Sequence, residues 1–405
     1  MTAGAAGAVG AGLRSERAPV YVGAAGIVLG ALSFWVTLPP VTARYPAWPI
    51  VLGAAAAAAG AFAAWRGARR VGISAITVGV LGAALGILAT HSSVSNLVQV
   101  FTWSSLLASM FVFATPLTYA AIGGMVSERS GVVNIGLEGM MLMGAFWGIY
   151  GAEKTGSWVL GVLIGMLAGG LLAVIHAYFS IHLRADQIVS GMGMNFLAVG
   201  ITGYFFVQLY HGENVGANVP RIPDLNLHIK DVYFLGPTFG HLNLMIWIGF
   251  LVVALSYVVV FKTPVGLRIR SCGEHPRAAD TVGINVYAVR YGAVITSGLL
   301  AAAGGAYLSV GFVGTFNENM TAGRGFIALA AMIFGNWRPF GAFGAALLFG
   351  FSAALAFKMQ VYDASLPGIA VLINILPYVL TLIAVAGVIG RSTPPAADGR
   401  PYKKQ

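Results

Sequence analysis

The sequence predicts an all-α polytopic membrane protein with about 10 to 12 transmembrane helices, and two observations support this. First, 58% of the 405 residues are hydrophobic and only 9% are charged. A soluble domain carries roughly 25% charged residues, so most of the surface of this protein must face lipid. Second, the apolar segments are long and rich in alanine, leucine and glycine, and they lack the two-residue alternation of a membrane β-barrel.

Each predicted helix is an apolar segment of about 20 residues, the length that crosses roughly 30 Å of hydrocarbon. In chain order these segments lie near residues 20–38, 49–65, 72–90, 97–124, 135–151, 157–181, 187–209, 241–261, 287–311, 338–358 and 368–390. A run at 325–335 has about half the required length. If it is counted as a crossing, the chain passes the membrane twelve times and both termini lie on one side.

The positions of the basic residues indicate which side that is. Of the 23 lysines and arginines, 17 fall on the side of the termini and six on the other. Basic residues accumulate in cytoplasmic loops, so we expect both termini in the cytoplasm and the protein in the cell inner or cytoplasmic membrane. This topology explains the net charge of +10, and nucleic acid is not an expected partner.

Several catalytic chemistries are missing from the sequence. Cys272 is the only cysteine, which excludes an intramolecular disulfide and a multi-cysteine metal site. No glycine-lysine pair occurs, so the chain lacks the phosphate loop of ATPases. The seven histidines are scattered, and His176 and His182 lie at the end of a span, where interfacial packing explains them. We therefore expect a protein that is not an enzyme and that needs no metal or cofactor.

Two loops are too long to be simple turns. The outer loop at 210–240 is rich in Gly, Pro, Asn and Asp, and it is either an external platform for a partner or a solvated loop. The inner loop at 262–286 carries most of the charge on its side. Pro276 suits a first helical position and Glu274 a helix N-terminus, which predicts a short helix over Pro276–Val282 outside the membrane. Such a helix suits docking of another protein, and the alternative is a plain connector.

Two glycine-containing segments occupy corresponding positions in the two halves of the chain. Asn134–Gly139 opens one apolar segment, and Arg324–Gly335 is the short segment of the second half. Short or glycine-interrupted segments paired in this way are typical of transport sites. Irregular backbone at membrane depth is tolerated only where protein or a water-filled cavity satisfies its polar groups. We therefore expect the two segments to border a solute pathway.

Glu138 is the only one of the 13 acidic residues that falls inside a predicted span. An ionised carboxylate at that depth costs about 3 kcal/mol on insertion scales. It therefore either accepts hydrogen bonds from a polyhydroxylated or amine-bearing solute, or has a structural role in which it caps a neighbouring half-helix N-terminus or holds the turn at Asn134, and both interpretations stay open. Asn134 and Asn195 lie in the same apolar setting with the same two interpretations. Gly325 and Phe326 stand at the mouth of the short segment, where the aromatic ring either stacks on a solute or simply packs.

These segments resemble a known family. Ala114–Gly124 and Ser127–Ala145 look like the permease subunit of ABC importers for nucleosides. That group belongs to a larger family that also serves ribose-type sugars and branched-chain amino acids. Gly273–Asn285 resembles the family's coupling segment, which docks on the ATP-hydrolysing subunit, and Gly325–Gly341 is similar to its second-half signature. The likeness runs from about residue 97 to residue 390.

The resemblance implies an ABC importer permease fold with two pseudo-symmetric halves. It also implies three kinds of partner: ATP-binding subunits inside, a second permease chain that is identical or different, and a solute-binding lipoprotein outside. The residues expected to couple to the ATP-binding subunit are Glu274, His275, Pro276, Arg277, Ala278, Ala279, Asp280 and Gly283. An accessory region at 1–96 with three predicted helices precedes the permease core at 97–390, and residues 391–405 form a cytoplasmic tail.

The expected function is half of the translocation pathway of an ATP-driven nucleoside importer, with ATP hydrolysed by a partner chain. The solute pathway is expected to be a loose cavity bordered by Asn134, Glu138, Asn195, Gly325 and Phe326. One alternative is a permease of the same kind for ribose-type sugars or branched-chain amino acids. Another is an ion-coupled secondary transporter, which needs buried ionisable residues, whereas the spans contain essentially Glu138 alone.

Overall fold

Long α-helices make up most of the structure. The computed structural model describes residues 3–37, 45–91, 103–213, 219–227, 235–360 and 392–404. These residues fall into two compact units. The first unit contains the described residues up to Leu106 together with Leu355–Gln360, and the second contains Leu107–Ala354 together with the described residues from Ser392 onward.

Three long helices form most of the first unit. They are α1 (Ala3–Trp35), α2 (Ala47–Trp65) and α3 (Arg69–His91). Their backbones touch at glycines: a Cβ atom on Gly60 would lie 2.5 Å from the carbonyl oxygen of Gly72, and one on Gly82 would lie 2.1 Å from that of Gly30. Small residues permit this close approach, which supplies the van der Waals contact that holds helices together in lipid. The three helices predicted within residues 1–96 are therefore present.

The second unit contains the remaining helices and two short strands. The first of these helices begins in the first unit, and the last one ends there. The helices are α4 (Trp103–Arg129), α5 (Leu137–Thr155), α6 (Trp158–Ala177), α7 (Gln187–Tyr210), α8 (Leu235–Phe239), α9 (Leu244–Lys262), α10 (Pro264–Glu274), α11 (Pro276–Thr281), α12 (Val286–Ala306), α13 (Arg324–Phe334) and α14 (Pro339–Gln360). α6 and α12 continue as π-helical stretches, at Tyr178–His182 and Tyr307–Val313.

α5 is the central helix of the second unit. Fourteen of its nineteen residues are buried, and it packs against α6, α7, α12 and α13. The contact with α12 is between backbones, since a Cβ atom on Gly144 would lie 2.1 Å from the carbonyl oxygen of Ala302 and one on Gly305 would lie 1.8 Å from that of Met141. α5 is therefore enclosed by protein, which allows it to carry polar residues that a lipid-facing helix cannot.

Nine helical stretches among the described residues are long and apolar enough to cross a membrane. They are Ala18–Trp35, Ala47–Trp65, Arg69–Ile87, Ser104–Arg129, Trp158–His182, Gln187–Tyr210, Leu244–Lys262, Val286–Val313 and Pro339–Lys358. The protein is thus an all-α polytopic membrane protein, as the composition predicted. The enclosed α5 has 19 residues and a length of about 28 Å, whereas α13 has 11 residues and reaches only about 16 Å.

Where the structure describes them, the helix bounds agree with the predicted segments to within six residues, except that α1 begins at Ala3 and not near residue 20. The segment predicted at 368–390 lies outside the described residues, so the count of twelve crossings stays a prediction. α13 has the half-length predicted for the run at 325–335. It begins after Gly323, which has a φ of +82°, a conformation that glycine adopts without steric cost.

The outer loop at 210–240 contains a small element of structure. β1 (Asp224–Asn226) and β2 (His241–Asn243) pair antiparallel, with Leu225 opposite Leu242. The Asn243 amide donates to the carbonyl oxygen of Ile222 at 3.0 Å and caps α9. The ends of this loop are therefore tied to the transmembrane helices, while residues 214–218 and 228–234 lie outside the described residues.

Candidate functional site

The N-termini of α5 and α13 meet at the carboxylate of Glu138. One carboxylate oxygen accepts a hydrogen bond from the backbone N–H of Gly323 at 2.7 Å, and the other accepts from the N–H of Gly325 at 2.5 Å. A Cβ atom on Gly325 would lie 2.5 Å from the Glu138 backbone nitrogen, so only glycine permits this contact. The first N–H groups of a helix have no partner within the helix, and a negative charge at that position is stabilised by the helix dipole.

This geometry is that of the cap, one of the interpretations that the sequence left open for Glu138, and a direct contact of Glu138 with solute stays a prediction. Both of its carboxylate oxygens bond to α13, and the side chain is 7% exposed. The two segments singled out by the predicted internal symmetry, 134–139 and 324–335, are therefore in direct contact. Phe326, one residue further along α13, is 41% exposed, and Gly325 is buried. Their place in a solute pathway stays a prediction.

Two buried asparagines hold the backbone that leads into α5. The Asn195 side chain accepts from the N–H of Gly139 at 2.8 Å and donates to the carbonyl oxygen of Ile135 at 3.0 Å. Asn134 accepts from the N–H of Gly136 at 3.1 Å and donates to the hydroxyl of Ser297 on α12 at 2.9 Å. Buried polar groups are stable only when paired, so these amides fix the segment 134–139 and join it to α7 and α12.

His176 adds a contact that the sequence did not indicate. Interfacial packing was expected for it, but His176 is fully buried. Its ring nitrogens lie 3.1 Å from the carbonyl oxygen of Val133 and 3.0 Å from the hydroxyl of Ser190. His176 therefore packs within the protein, against the loop that precedes α5, and its depth in the membrane stays a prediction. His182, by contrast, is exposed and stacks on Tyr178.

The inner loop forms two short helices in succession, α10 and α11. The predicted helix over Pro276–Val282 is observed as Pro276–Thr281, with proline at its first position as expected. Glu274 ends α10 instead of opening α11. Gly283 follows with a φ of +85°. The predicted coupling residues are exposed at Glu274, His275, Arg277, Ala278 and Gly283, partly exposed at Pro276 and Asp280, and buried at Ala279.

The C-terminal tail, described from Ser392 to Lys404, packs against this inner loop. The backbone N–H of Ala397 donates to the carbonyl oxygen of Gly273 at 2.8 Å. The Tyr402 ring packs in a small cluster with Cys272, Ala279 and Val286. Burial and the neighbouring Asp280, to which the hydroxyl is hydrogen-bonded, raise the pKa of Tyr402 to about 12. The tail therefore contacts α10, α11 and the start of α12.

Arg290 connects the tail to the loop before α5. This side chain is 1% exposed; its Nε donates to the carbonyl oxygen of Ser130 at 3.1 Å and its Nη1 to that of Arg400 at 3.0 Å. Neither the role of Arg290 nor the docked tail was predicted from the sequence. A single arginine just inside a predicted span was a usable signal, because such a charge needs buried acceptors. The tail offered no comparable signal, since its residues are polar and lack a helical or strand period.

Two carboxyl groups face each other where the tail meets α4. Asp398 is hydrogen-bonded to Glu128, and Glu128 also accepts from the Trp337 indole at 2.6 Å. Burial raises the pKa of Asp398 to about 7, and the nearby Arg290 opposes part of this rise. Two adjacent carboxylates repel each other, so one proton shared between the pair stabilises the docked tail.

Raising the pH should therefore loosen the tail. The pKa of Asp398 is about 7 in the docked state and about 3.9 in a free chain, so docking weakens as pH rises from about 4 to about 7 and then levels off. A nitroxide on Lys404→Cys should be more mobile at pH 8 than at pH 5 by electron paramagnetic resonance. Asp398→Asn should reduce this pH dependence, because the amide stays neutral and its carbonyl oxygen can still accept a hydrogen bond from Glu128. An unchanged pH dependence in Asp398→Asn would contradict this assignment.

The chain is similar to known transport proteins over most of its length. A family model described as "branched-chain amino acid transport system / permease component" matches residues 106–385. The guanosine ABC transporter permease protein NupQ of Bacillus subtilis is 42% identical over 327 residues, which cover 76% of this chain and 99% of NupQ. The nucleoside ABC transporter permease protein NupC of Lactococcus lactis is 40% identical over 321 residues, covering 75% and 98% of the two chains.

A protein named for a sugar is also similar. The putative glucose ABC transporter permease protein TsgC13 of Haloferax volcanii is 35% identical over 271 residues, which cover 67% of this chain and 82% of TsgC13. No solved structure matches this chain significantly. The matched region begins within α4 and includes the α5–α13 contact and the inner loop.

Proposed function

This chain belongs to the family described as "branched-chain amino acid transport system / permease component", and from that premise we propose that it forms half of the translocation pathway of an ATP-driven nucleoside importer. The proposal that the transported solute is a nucleoside rests on the similarity to two permeases named for nucleosides, which extends over 98–99% of their lengths. The permease named for glucose is less similar, at 35% identity. A sugar importer is therefore the second candidate.

The α5–α13 contact supports a pathway wall with low affinity for solute. The polar atoms of Asn134, Glu138 and Asn195 bond within the chain, so they hold two helix ends in place. Phe326 presents an exposed ring one residue beyond that contact, and an aromatic face stacks favourably on a nucleobase. A weak site suits a channel that receives solute from a binding protein, because tight binding would resist release on the inner side.

We propose that α11 couples ATP hydrolysis in a partner subunit to solute transport. A separate ATP-hydrolysing subunit would dock on the exposed residues of α11, on the side that the basic loops assign to the cytoplasm. α11 leads through Gly283 into α12, and α12 contacts the 134–139 segment through Ser297. Movement of α11 is thereby connected to Glu138 and the start of α13 by packed elements. The strands β1 and β2 on the opposite side would receive the solute-binding protein.

The experiment is reconstitution of this chain with its second permease chain, ATP-binding subunits and binding protein in proteoliposomes. We expect nucleoside uptake that requires ATP hydrolysis, that other nucleosides inhibit, and that an uncoupler leaves unchanged. The matched controls are liposomes with this chain alone and liposomes with a non-hydrolysable nucleotide, neither of which should accumulate solute. Inhibition by glucose but not by nucleosides would favour the sugar importer. Loss of uptake with an uncoupler at constant ATP would favour an ion-coupled transporter.

A further inference from the structure

A groove opens between α9, α10 and α12, apart from the α5–α13 contact. It encloses about 510 Å³ and is also lined by Val126 of α4. We call it the α9–α12 groove. Several of its lining side chains are exposed, among them Leu255, Val259 and Val265, so the groove is open to the surroundings of the chain. A volume of this size accommodates a ligand of several hundred daltons.

The length of the groove matches one leaflet of a bilayer. Its lining residues on α12 run from Ala288 to Leu300, which is about 18 Å at the helical rise of 1.5 Å per residue. The hydrocarbon core of a bilayer is about 30 Å thick, so one leaflet contributes about half of that. The groove starts where α9 passes into α10, at Lys262–Pro264, and extends to the middle of α12.

The lining of the groove is apolar along its length and basic at one end. Two hydroxyl groups line it, and both bond to their own helices: Ser256 donates to the carbonyl oxygen of Val253 at 2.8 Å and Thr296 to that of Gly292 at 2.7 Å. A nucleoside would leave its hydroxyl and base groups unpaired against such a surface. The charged lining residue is Arg268, an exposed side chain on α10.

We propose that the α9–α12 groove binds an anionic phospholipid, with an acyl chain along α12 and the phosphate group at Arg268. Basic pockets between transmembrane helices on the cytoplasmic side are suited to anionic headgroups. The basic inner loop, which contains Lys262, Arg268 and Arg270, lies at the same end as the proposed headgroup. The occupant has an apolar chain of leaflet length and a negative head, which is the complement of this lining. The proposal does not depend on which solute the chain transports.

Gly292 allows the groove to be filled without disturbing the helices that form it. A Cβ atom on Gly292 would meet no atom within 4 Å, so Gly292→Leu places its side chain in open space within the groove. Gly200 on α7 is equally open and lies on a different helix, so Gly200→Leu is the matched control. Arg268→Gln removes the positive charge at the groove, and Arg184→Gln removes another exposed arginine.

The test is native mass spectrometry of the full chain in detergent with added phosphatidylglycerol or phosphatidylcholine. Phosphatidylglycerol should bind the wild type, Gly200→Leu and Arg184→Gln equally. Binding should fall by about tenfold in Gly292→Leu, since displacing even two methylene groups has that effect, and by about fivefold in Arg268→Gln. Phosphatidylglycerol should also raise the melting temperature of the wild type but not that of Gly292→Leu.

Three results would overturn the proposal. Equal phosphatidylglycerol binding by Gly292→Leu and Gly200→Leu would place the lipid elsewhere. Equal binding of phosphatidylcholine and phosphatidylglycerol by the wild type would remove the role of Arg268. Loss of association with the second permease chain in Gly292→Leu, with lipid binding unchanged, would make the groove a protein interface instead.

Discussion

Replacing Glu138 with alanine should lower ATP-driven solute uptake by about tenfold or more while the transporter still assembles. The substitution removes the acceptor for the backbone N–H groups of Gly323 and Gly325. A hydrogen bond to a charged group contributes about 1.5–3 kcal/mol, and its loss leaves a buried donor unpaired. The N-terminus of α13 would then separate from α5. The measurement is the initial rate of radiolabelled nucleoside uptake into proteoliposomes, normalised to the amount of chain in the membrane.

A second substitution at the same position separates a cap from a direct solute contact. Glu138→Gln keeps the shape of the side chain but turns an NH₂ group toward one of the two N–H donors, so we expect an intermediate maximal rate with an unchanged KM. A direct solute contact would instead raise KM. Glu213→Ala removes an exposed carboxylate and should leave uptake unchanged. Normal uptake by Glu138→Ala at a normal membrane level would exclude Glu138 from the mechanism.

Replacing Ala278 with glutamate should uncouple the transporter, with about a hundredfold loss of ATP-driven uptake. Ala278 is exposed on α11, so a longer side chain disturbs no contact within this chain. In the proposed complex the same position is covered by the ATP-hydrolysing subunit. An unpaired carboxylate buried in that interface costs several kcal/mol. The measurements are uptake, ATP hydrolysis stimulated by the loaded binding protein, and co-purification of the ATP-binding subunit.

The matched control for this variant changes the charge by the same amount elsewhere. Arg184→Gln alters an exposed residue in the loop between α6 and α7, outside α11, and should keep full coupling. The melting temperature of the isolated Ala278→Glu chain should equal that of the wild type, because no buried group is altered. Wild-type uptake and stimulated ATP hydrolysis in Ala278→Glu would show that α11 does not carry the coupling.

The helices of this protein were predictable because lipid solvation depends mainly on local composition. A segment such as 244–262 is apolar except for Ser256 and Lys262, and no contact elsewhere in the chain alters its preference for hydrocarbon. α11 was predictable for a similar reason, because Pro276 favours a first helical turn wherever the chain runs. The place of Glu274 was predicted less accurately, because this residue ends α10 and does not open α11. Which of two adjacent short helices contains a given residue is decided by how the two helices pack.

The candidate site was predictable only in part. Glu138 was identified because a carboxylate within an apolar segment requires a partner, and its neighbours Asn134 and Asn195 followed from the same argument. The identity of the partners did not follow. Gly323 and Gly325 lie 185 and 187 residues from Glu138, and glycine N–H groups carry no sequence signal of their own. The partners of Arg290 and of the tail were not predictable for the same reason, since the acceptors are backbone carbonyl oxygens of residues distant in the chain.

The amino-acid sequence by itself determined that this chain is embedded in a membrane, where most of its long helices lie, and that the buried Asn134, Glu138 and Asn195 need partners. These properties depend on the hydropathy of residues that are neighbours in the sequence, so the composition of each segment suffices to predict them. The tertiary structure alone decided that Glu138 caps α13, that the tail packs against the inner loop, and that α9 and α12 leave a groove between them. Each of these depends on the distance between groups far apart in the chain, which only the packed helices define.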